Sequence, residues 1–206
     1  MIINLKNTNP IAKGSSRICY EHPDFSDRCI KVSLLDNNEE SIKEKNYYKY
    51  LENKGISWEY IAKYHNTIKT DIGDGFVYDL VRDYDGNISK TLSYYLQTEE
   101  KTKSIINPLI LLNEIKHYLL RENIMVKDFN TKNMMYQKTA KDTARLIIVD
   151  GLHKDKIISL SMYIKYFSLK KITTRYDNFE NSLYKRYHFN KYFINLLKDF
   201  QITAEQ

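Results

Sequence analysis

The spacing of apolar residues changes near residue 85, and this change limits the possible folds more than any other feature. Before it, short runs rich in β-branched and aromatic residues alternate with turn signals, whereas after it apolar residues recur at helical spacing. Strands at one end and helices at the other predict an α+β protein. The 206 residues, 42% of them hydrophobic, suffice for one domain of two lobes. We predict a β-rich lobe at 1–85, a short helical lobe at 86–206 and a ligand cleft between them.

The first 85 residues contain signals for strands around a single helix. "RICYEHP" and "RCIKVSLL" are β-rich runs joined by a Pro-Asp turn, which predicts a hairpin. "NNEESIKEKNYYKYLENKG" predicts a helix with Asn37 or Asn38 as its cap and Gly55 just past its end. "IAKYHNTIKT" and "GFVYDLVRD" then predict two strands separated by the turn "DIGDG".

The rest of the chain is predicted to be mainly helical. "SKTLSYYLQ" is a short helix, and "NPLILLNEIKHYLLREN" is a longer one with Asn107 as its cap and Pro108 in its first turn. "NMMYQ" and "ARLIIVDG" are strand-like, and the tail from residue 156 onward is again helical. Its predicted apolar stripe consists of Phe189, Phe193, Leu196 and Phe200.

A polar loop, "VKDFNTKNMMY" at residues 126–136, suggests chemistry. Asp128 and Asn133 keep the spacing between Asp and Asn in the kinase catalytic loop H-R-D-L-x-x-x-N. Such a loop places a carboxylate beside the attacking hydroxyl and an amide oxygen on magnesium. The alternative is an ordinary polar surface loop.

A second candidate element is "AKGSSR", which lies between two predicted strands. Gly14, Ser15 and Ser16 form a turn whose backbone amides could approach phosphates closely. The usual G-x-G-x-x-G is absent, so an ordinary hairpin turn is the alternative.

Lys31 lies inside the apolar strand "CIKV". A lysine there either extends outward from the strand or has a charged partner in a cleft. In the second case it would bind nucleotide phosphates and pair with a glutamate of the next helix, with Glu44 the first candidate and Glu40 the second.

The apolar strand "LIIVDG" ends in Asp150 and Gly151. A carboxylate at a strand end is a hard oxygen ligand suited to magnesium. The alternative is a plain β-turn, which Asp-Gly also favours.

These elements follow one another in the order found in kinases. A Gly-containing turn, a strand lysine, a helix glutamate, an Asp with Asn five residues later and a strand-terminal Asp together predict a protein-kinase-like fold that uses ATP and Mg²⁺.

Five segments resemble the PhoP regulatory network protein YrbL family of bacteria: "SRICYEHP", "CIKV", "DLVRDYDGNISKTLSYYL", "KDFNTKNMMY" and "IIVDG". The resemblance runs over nearly the whole chain, and "RDYDGNISKTL" is its most distinctive part. It implies a protein-kinase-like fold and a role in PhoP-linked or stress regulation, although the family's own activity and substrate are poorly defined. By resemblance to kinases, Lys31 would bind phosphate, Asp128 would act as base, and Asn133 and Asp150 would bind metal.

The kinase resemblance is incomplete. Val126 and Lys127 replace His and Arg, Gly151 follows Asp150 with no Phe between them, and no A-P-E segment is visible. These departures favour a small-molecule acceptor over a protein. Asp83 and Asp85 could contact ribose or a basic substrate from a hinge, but a turn at Asp85-Gly86 is the favoured interpretation.

Charge and cysteine usage bear on partners and location. The net charge of +6 favours anionic partners such as nucleotides. The basic residues between 165 and 191 resemble a solvated helix face more than a nucleic-acid site. We expect no signal peptide, no transmembrane segment, free thiols at Cys19 and Cys29, and a cytoplasmic location. The alternative to an enzyme is a catalytically inactive kinase-like protein that binds a nucleotide or a partner.

Overall fold

Strands dominate the first part of the chain and helices the last part in the computed structural model, which describes residues 2–34, 39–152 and 165–204. The strands are β1 (Ile2–Ile3), β2 (Ala12–Lys13), β3 (Arg17–Glu21), β4 (Arg28–Ser33), β5 (Tyr64–Thr70), β6 (Gly73–Asp79), β7 (Lys90–Thr91), β8 (Met134–Ala140) and β9 (Thr143–Ile148). The helices are α1 (Glu39–Lys54), α2 (Leu92–Tyr95), α3 (Glu99–Lys103), α4 (Pro108–Arg121), α5 (Lys165–Arg186) and α6 (Lys191–Ala204), with a 3₁₀ turn at Thr131–Asn133. The fold is therefore mixed α+β. Within the described ranges, every helix is too short or too polar to cross a bilayer.

A six-stranded sheet with the order β1-β5-β6-β4-β3-β2 forms the first part. The predicted hairpin β3–β4 is confirmed as an antiparallel pair, and the two strands predicted on either side of the turn "DIGDG", β5 and β6, also pair antiparallel. Side chains alternate between the two faces of a strand. In β4, Ile30 and Val32 pack against Leu5 on one face. Cys29 shares the main core with Tyr48 of α1 on the other face, and Lys31 points to the same side because it lies two residues further on.

The helix predicted after these strands is α1. It ends at Lys54, and the next residue, Gly55, has φ +73°, as expected for a glycine that terminates a helix. The two candidate caps, Asn37 and Asn38, lie outside the described residues.

The second sheet has the order β7-β8-β9, and its strands are antiparallel. The two predicted strands β8 and β9 are confirmed, while the pairing of β7 with β8 was not predicted. Backbone bonds connect this sheet to the first part of the chain: Ala62 N donates to Ile148 O at 3.0 Å, and Ile148 N donates to Tyr60 O at 2.8 Å. One core cluster extends from Tyr47 of α1 to Phe193 of α6. The lobe boundary at residue 85 stays a prediction.

Asn107 occupies the predicted cap position of α4, directly before Pro108, but its side chain does not cap the helix. Asn107 has φ 44° and makes no side-chain capping bond, and the helix begins at Pro108. A capping side chain reaches the first free amides from an extended backbone, and the left-handed backbone of Asn107 does not provide this geometry.

The predicted stripe of the last helix is wrong in its register. The helix α6 begins only at Lys191, so Phe189 precedes it and is 53% exposed. Among the described side chains of α6, Phe193 and Leu197, four residues apart, are buried, while Leu196 is half-buried. The side chain of Phe200 lies outside the described residues.

Asn190 connects this last helix to α2 and α3, and it generates a stability prediction. It is 1% exposed. Its Nδ2 donates to Leu96 O at 3.0 Å and to Thr102 Oγ1 at 2.7 Å, while its Oδ1 accepts from Phe193 N at 3.0 Å. Asn190→Ala removes a helix cap and leaves buried polar groups without partners, so we expect the free energy of unfolding to fall by about 2–4 kcal/mol.

Urea unfolding followed by circular dichroism measures this loss. Asn195→Ala, at an exposed position of the same helix, is the matched control and is expected to change stability by less than about 0.5 kcal/mol. Equal losses in the two variants would contradict the assigned role of Asn190.

Candidate functional site

The site predicted from sequence lies along one cleft of about 1020 Å³. The cleft is bounded by the β2–β3 turn, β4, α1, the 126–136 loop and the residues that follow β9. All eight predicted site residues line it: Gly14, Ser15, Ser16, Lys31, Glu44, Asp128, Asn133 and Asp150. Their chemical roles stay predictions.

The segment Gly14–Ser16 is the turn between β2 and β3. Gly14 N donates to Arg17 O at 2.8 Å, which closes the turn. The two interpretations offered for this segment are therefore compatible, because it is a hairpin turn and it also lines the cleft.

Lys31 faces the cleft and is 8% exposed, so an outward-facing strand lysine is excluded. Its Nζ donates to Val149 O at 2.6 Å and lies 3.8 Å from Asp150 Oδ2. The same ammonium lies 4.5 Å from the ring centroid of Tyr78. Lys31 is thus held between β6 and the residues that follow β9.

The expected pairing of Lys31 with Glu44 is replaced by another pairing. Glu44 forms an ion pair with Arg17, and the same guanidinium pairs with Asp150. Glu40 lines the cleft but is exposed.

Arg17 was missed by the sequence reasoning. It directly follows the Gly-Ser-Ser turn and lies opposite Ser33 in the β3–β4 ladder, two positions from the pair formed by Cys19 and Lys31. To predict that Arg17 faces the cleft, one would need the register of this hairpin, because the register determines on which face of the sheet each side chain lies.

Asp128 and Asn133 are in direct contact. Asn133 Nδ2 donates to Asp128 Oδ2 and to Asp128 O, both at 3.0 Å, and Asn130 Nδ2 donates to Asp128 Oδ1 at 2.8 Å. Asn130 Oδ1 caps the following 3₁₀ turn. The loop therefore holds an exposed carboxylate in a defined orientation.

The carboxylate of Asp150 is surrounded by donors and cations. Burial by itself raises its pKa, but the charges of Lys31 and Arg17 and the hydrogen bond from Gly151 N, at 2.7 Å, lower the pKa to about 2. Asp150 is therefore ionised at neutral pH.

The oxygen atoms near the loop suit magnesium. The amide nitrogen of Asn133 faces Asp128, which leaves its oxygen for a cation, and Asp150 offers an ionised carboxylate. Among the described residues, no group of three or more His, Cys, Asp or Glu could hold a metal by itself. This arrangement fits Mg²⁺, which proteins commonly bind through one or two side chains plus phosphate oxygens.

Cys19 and Cys29 both line the cleft, and both are free thiols as predicted. A hydrogen bond from Cys29 and the charges of Lys31 and Arg17 lower the pKa of Cys19 against the effect of burial. The same hydrogen bond and burial raise the pKa of Cys29. Cys19 is therefore the more acidic thiol of the pair.

Asp83 and Asp85 form a turn, as favoured from the sequence. Asp83 accepts from Lys138 N at 3.0 Å, and Asp85 accepts from Asn87 N at 3.0 Å. Neither residue lines the cleft.

Gly151 explains why Asp150 and the loop can lie so close together, and it generates a second prediction. It has φ +83°, and a Cβ there would lie 2.5 Å from Asp128 O. Gly86 has φ +85°, and a Cβ there would have no atom within 4 Å, so it is a matched control for backbone strain alone. We expect Gly86→Ala to cost about 1–2 kcal/mol of stability and Gly151→Ala about 1–3 kcal/mol more, because the added carbon forces the loop away.

Chemical denaturation of both variants tests this difference. If Gly151→Ala is no less stable than Gly86→Ala, the close contact between the two segments does not exist in solution.

Comparison with known proteins identifies the family. The family model described as "PhoP regulatory network protein YrbL" matches residues 3–184. The chain is 30% identical over 173 residues to the uncharacterized protein YrbL of Escherichia coli (strain K12), with 82% of each chain covered. A protein of Shigella flexneri with the same description matches with the same identity and coverage. The chain therefore belongs to the YrbL family of the PhoP regulatory network.

Proposed function

We propose that this protein has a protein-kinase-like fold and is an ATP- and Mg²⁺-dependent phosphotransferase that acts on a small molecule bearing a hydroxyl group. One observation carries the proposal: five side chains suited to phosphoryl transfer come from separate parts of the chain and line one cleft. They are Lys31, Glu44, Asp128, Asn133 and Asp150.

The order of the elements supports the same proposal. Lys31 lies on the last of three consecutive antiparallel strands, β2, β3 and β4, and the helix with Glu44 follows directly. The loop with Asp128 and Asn133 then precedes β9, after which Asp150 follows. Protein kinases place a strand lysine, a helix glutamate, a catalytic-loop Asp and Asn, and a metal-binding Asp in this order.

Each side chain has a specific task in this proposal. Lys31 would neutralise nucleotide phosphates, and Asn133 and Asp150 would hold Mg²⁺ through oxygen atoms. Asp128, oriented by two asparagine amides, would orient the acceptor hydroxyl and accept its proton. Bound magnesium would neutralise charge that develops on the phosphates.

A small acceptor is favoured over a protein. The chain lacks an A-P-E segment, and Gly151 directly follows Asp150. The family description links the chain to the PhoP regulatory network, and the proposed activity would serve that regulation.

The first prediction of the proposed function concerns nucleotide binding. ATP with Mg²⁺ at a hundredfold excess over its dissociation constant should stabilise the protein by about 2.7 kcal/mol, because the ligand binds only the native state. Lys31→Ala removes a charged contact to phosphate and should weaken binding by roughly 10- to 100-fold. Thermal unfolding with and without Mg²⁺–ATP measures both effects.

Lys69→Ala is the matched control, since this exposed lysine of β5 pairs with Asp74 outside the cleft. Its ATP-induced shift should equal that of the wild type. No shift in the wild type at millimolar ATP would refute the nucleotide proposal.

The second prediction concerns the base. Asp128→Asn should lower ATP-dependent transfer by roughly 10²–10⁴, the usual contribution of a positioned base, while leaving ATP affinity nearly intact. ATP consumption with a panel of metabolite acceptors, measured beside calorimetric ATP binding, separates the two quantities. Asp142→Asn, at an exposed position between β8 and β9, is the control and should behave as the wild type.

Asn133→Ala should differ from Asp128→Asn by also weakening Mg²⁺-dependent binding. Equal turnover in the wild type and Asp128→Asn would show that Asp128 is not the base. A wild type that binds ATP without consuming it, with every acceptor tried, would instead indicate a catalytically inactive binding protein.

A further inference from the structure

Arg17 joins the two sides of the cleft through two carboxylates. Its guanidinium pairs with Glu44 of α1 and with Asp150 beyond the end of β9, 133 residues away in the chain. The Arg17 and Glu44 side chains are only 15% and 3% exposed. We call this set of contacts the Arg17 bridge.

The Arg17 bridge uses an atom that the proposed cation would also need. Asp150 Oδ1 accepts from Arg17 and from Gly151 N, and Asp150 Oδ2 lies 3.8 Å from Lys31 Nζ. Since Asp150 Oδ1 already accepts from two donors, both of its lone pairs are occupied, and the positive charge of the guanidinium also repels a divalent cation from this carboxylate. Arg17 keeps its charge at every accessible pH, so only another cation can take its place.

Beside this bridge, one carboxylate oxygen of Glu44 has no hydrogen-bond donor among the described residues. Within the part of the chain that the structure describes, Glu44 Oε1 is buried and accepts no hydrogen bond, and the hydroxyls of Tyr48 and Tyr78 are likewise buried without partners. Tyr48 lies one helical turn after Glu44 on α1, and Tyr78 lines the cleft with Glu44. Burial and the charge of Glu44 raise the pKa of both tyrosines. An unpaired buried carboxylate oxygen is costly, so a second donor to Glu44 would be stabilising.

We infer that Arg17 competes with the divalent cation for the carboxylate of Asp150, and that Mg²⁺–nucleotide binding displaces the Arg17 guanidinium from it. This inference rests on the proposed function, in which Asp150 holds Mg²⁺. Lys31, released from Asp150 by the same exchange, would then donate to the free oxygen of Glu44, since both residues line the cleft and the Lys31 ammonium lies over the Tyr78 ring. The Arg17 bridge thus sets the cation concentration at which the cleft becomes competent.

The competition should change the half-saturating cation concentration by a measurable factor. When the competent form is a minor fraction of the protein, the apparent dissociation constant rises by the inverse of that fraction. With roughly one molecule in ten competent, removal of Arg17 should lower the half-saturating cation concentration about tenfold.

The experiment compares the wild type with Arg17→Gln in two calorimetric titrations. One uses Mn²⁺ alone, and the other measures ATP binding at increasing Mg²⁺. Arg121→Gln is the matched control, because Arg121 also pairs with two carboxylates, those of Glu59 and Glu122, but does not line the cleft. We expect both half-saturating concentrations to fall about tenfold in Arg17→Gln and to stay unchanged in Arg121→Gln.

A second variant covers the case in which Arg17→Gln does not fold, since it leaves Glu44 as an unpaired buried charge. The double variant Arg17→Gln/Glu44→Gln removes both charges of the buried pair and frees Asp150. It should bind Mn²⁺ about tenfold more tightly than the wild type.

The outcomes separate the inference from the proposed function. If the wild type binds Mg²⁺–ATP but the variants need as much cation or more, the inference fails and the proposed function stands. If no form binds ATP but the variants bind Mn²⁺ more tightly, the competition is supported and the proposed function fails. If no form binds ATP or Mn²⁺, both fail.

Discussion

Four buried or half-buried charges, two positive and two negative, determine the geometry of the cleft. Arg17 and Lys31 lie on β3 and β4, Glu44 lies on α1, and Asp150 follows β9. Removing one partner of a buried ion pair typically costs about 3–5 kcal/mol because the other charge is left uncompensated. These charges therefore link the sheet, the helix and the end of β9, and removal of any one of them leaves a partner uncompensated.

The loop with Asp128 is fixed to the same strand end by its backbone. Val149 N donates to Asn133 O at 2.9 Å, and Lys127 N donates to Gly151 O at 2.9 Å. These bonds attach the loop to the residues on either side of Asp150. The absence of a Cβ at Gly151 lets the backbone of Asp128 approach this segment. The backbones that carry Asp128 and Asp150 are therefore held in one hydrogen-bonded frame.

Much of this arrangement could be predicted from the sequence, since it depends on local signals. Strand alternation, the Gly55 helix end and the spacing of Asp128 and Asn133 are readable over a few residues. The position of Arg17 in the cleft could not be predicted in this way, because its contact with Asp150 depends on hairpin register and on chain segments that are distant in sequence. Asn107 was correctly placed at the cap position of α4, but its left-handed backbone, which prevents a side-chain capping bond, could not be predicted from the sequence. Local signals thus predicted residues that line the cleft, while their pairing required the tertiary structure.

The departures from the kinase loop motif are compensated by contacts from outside the loop. Val126 and Lys127 stand where that motif has His and Arg, so those side chains cannot orient the loop. Instead, Arg175 of α5 donates to Val126 O at 2.7 Å, and the Tyr47 hydroxyl of α1 accepts from Met125 N at 2.9 Å. Since both helices pack against the same core as the loop, they can fix its entry without the usual residues. The missing His and Arg are therefore weak evidence against the proposed catalysis. Whether Asp150 is paired with Arg17 or free to bind a cation bears on that proposal more directly.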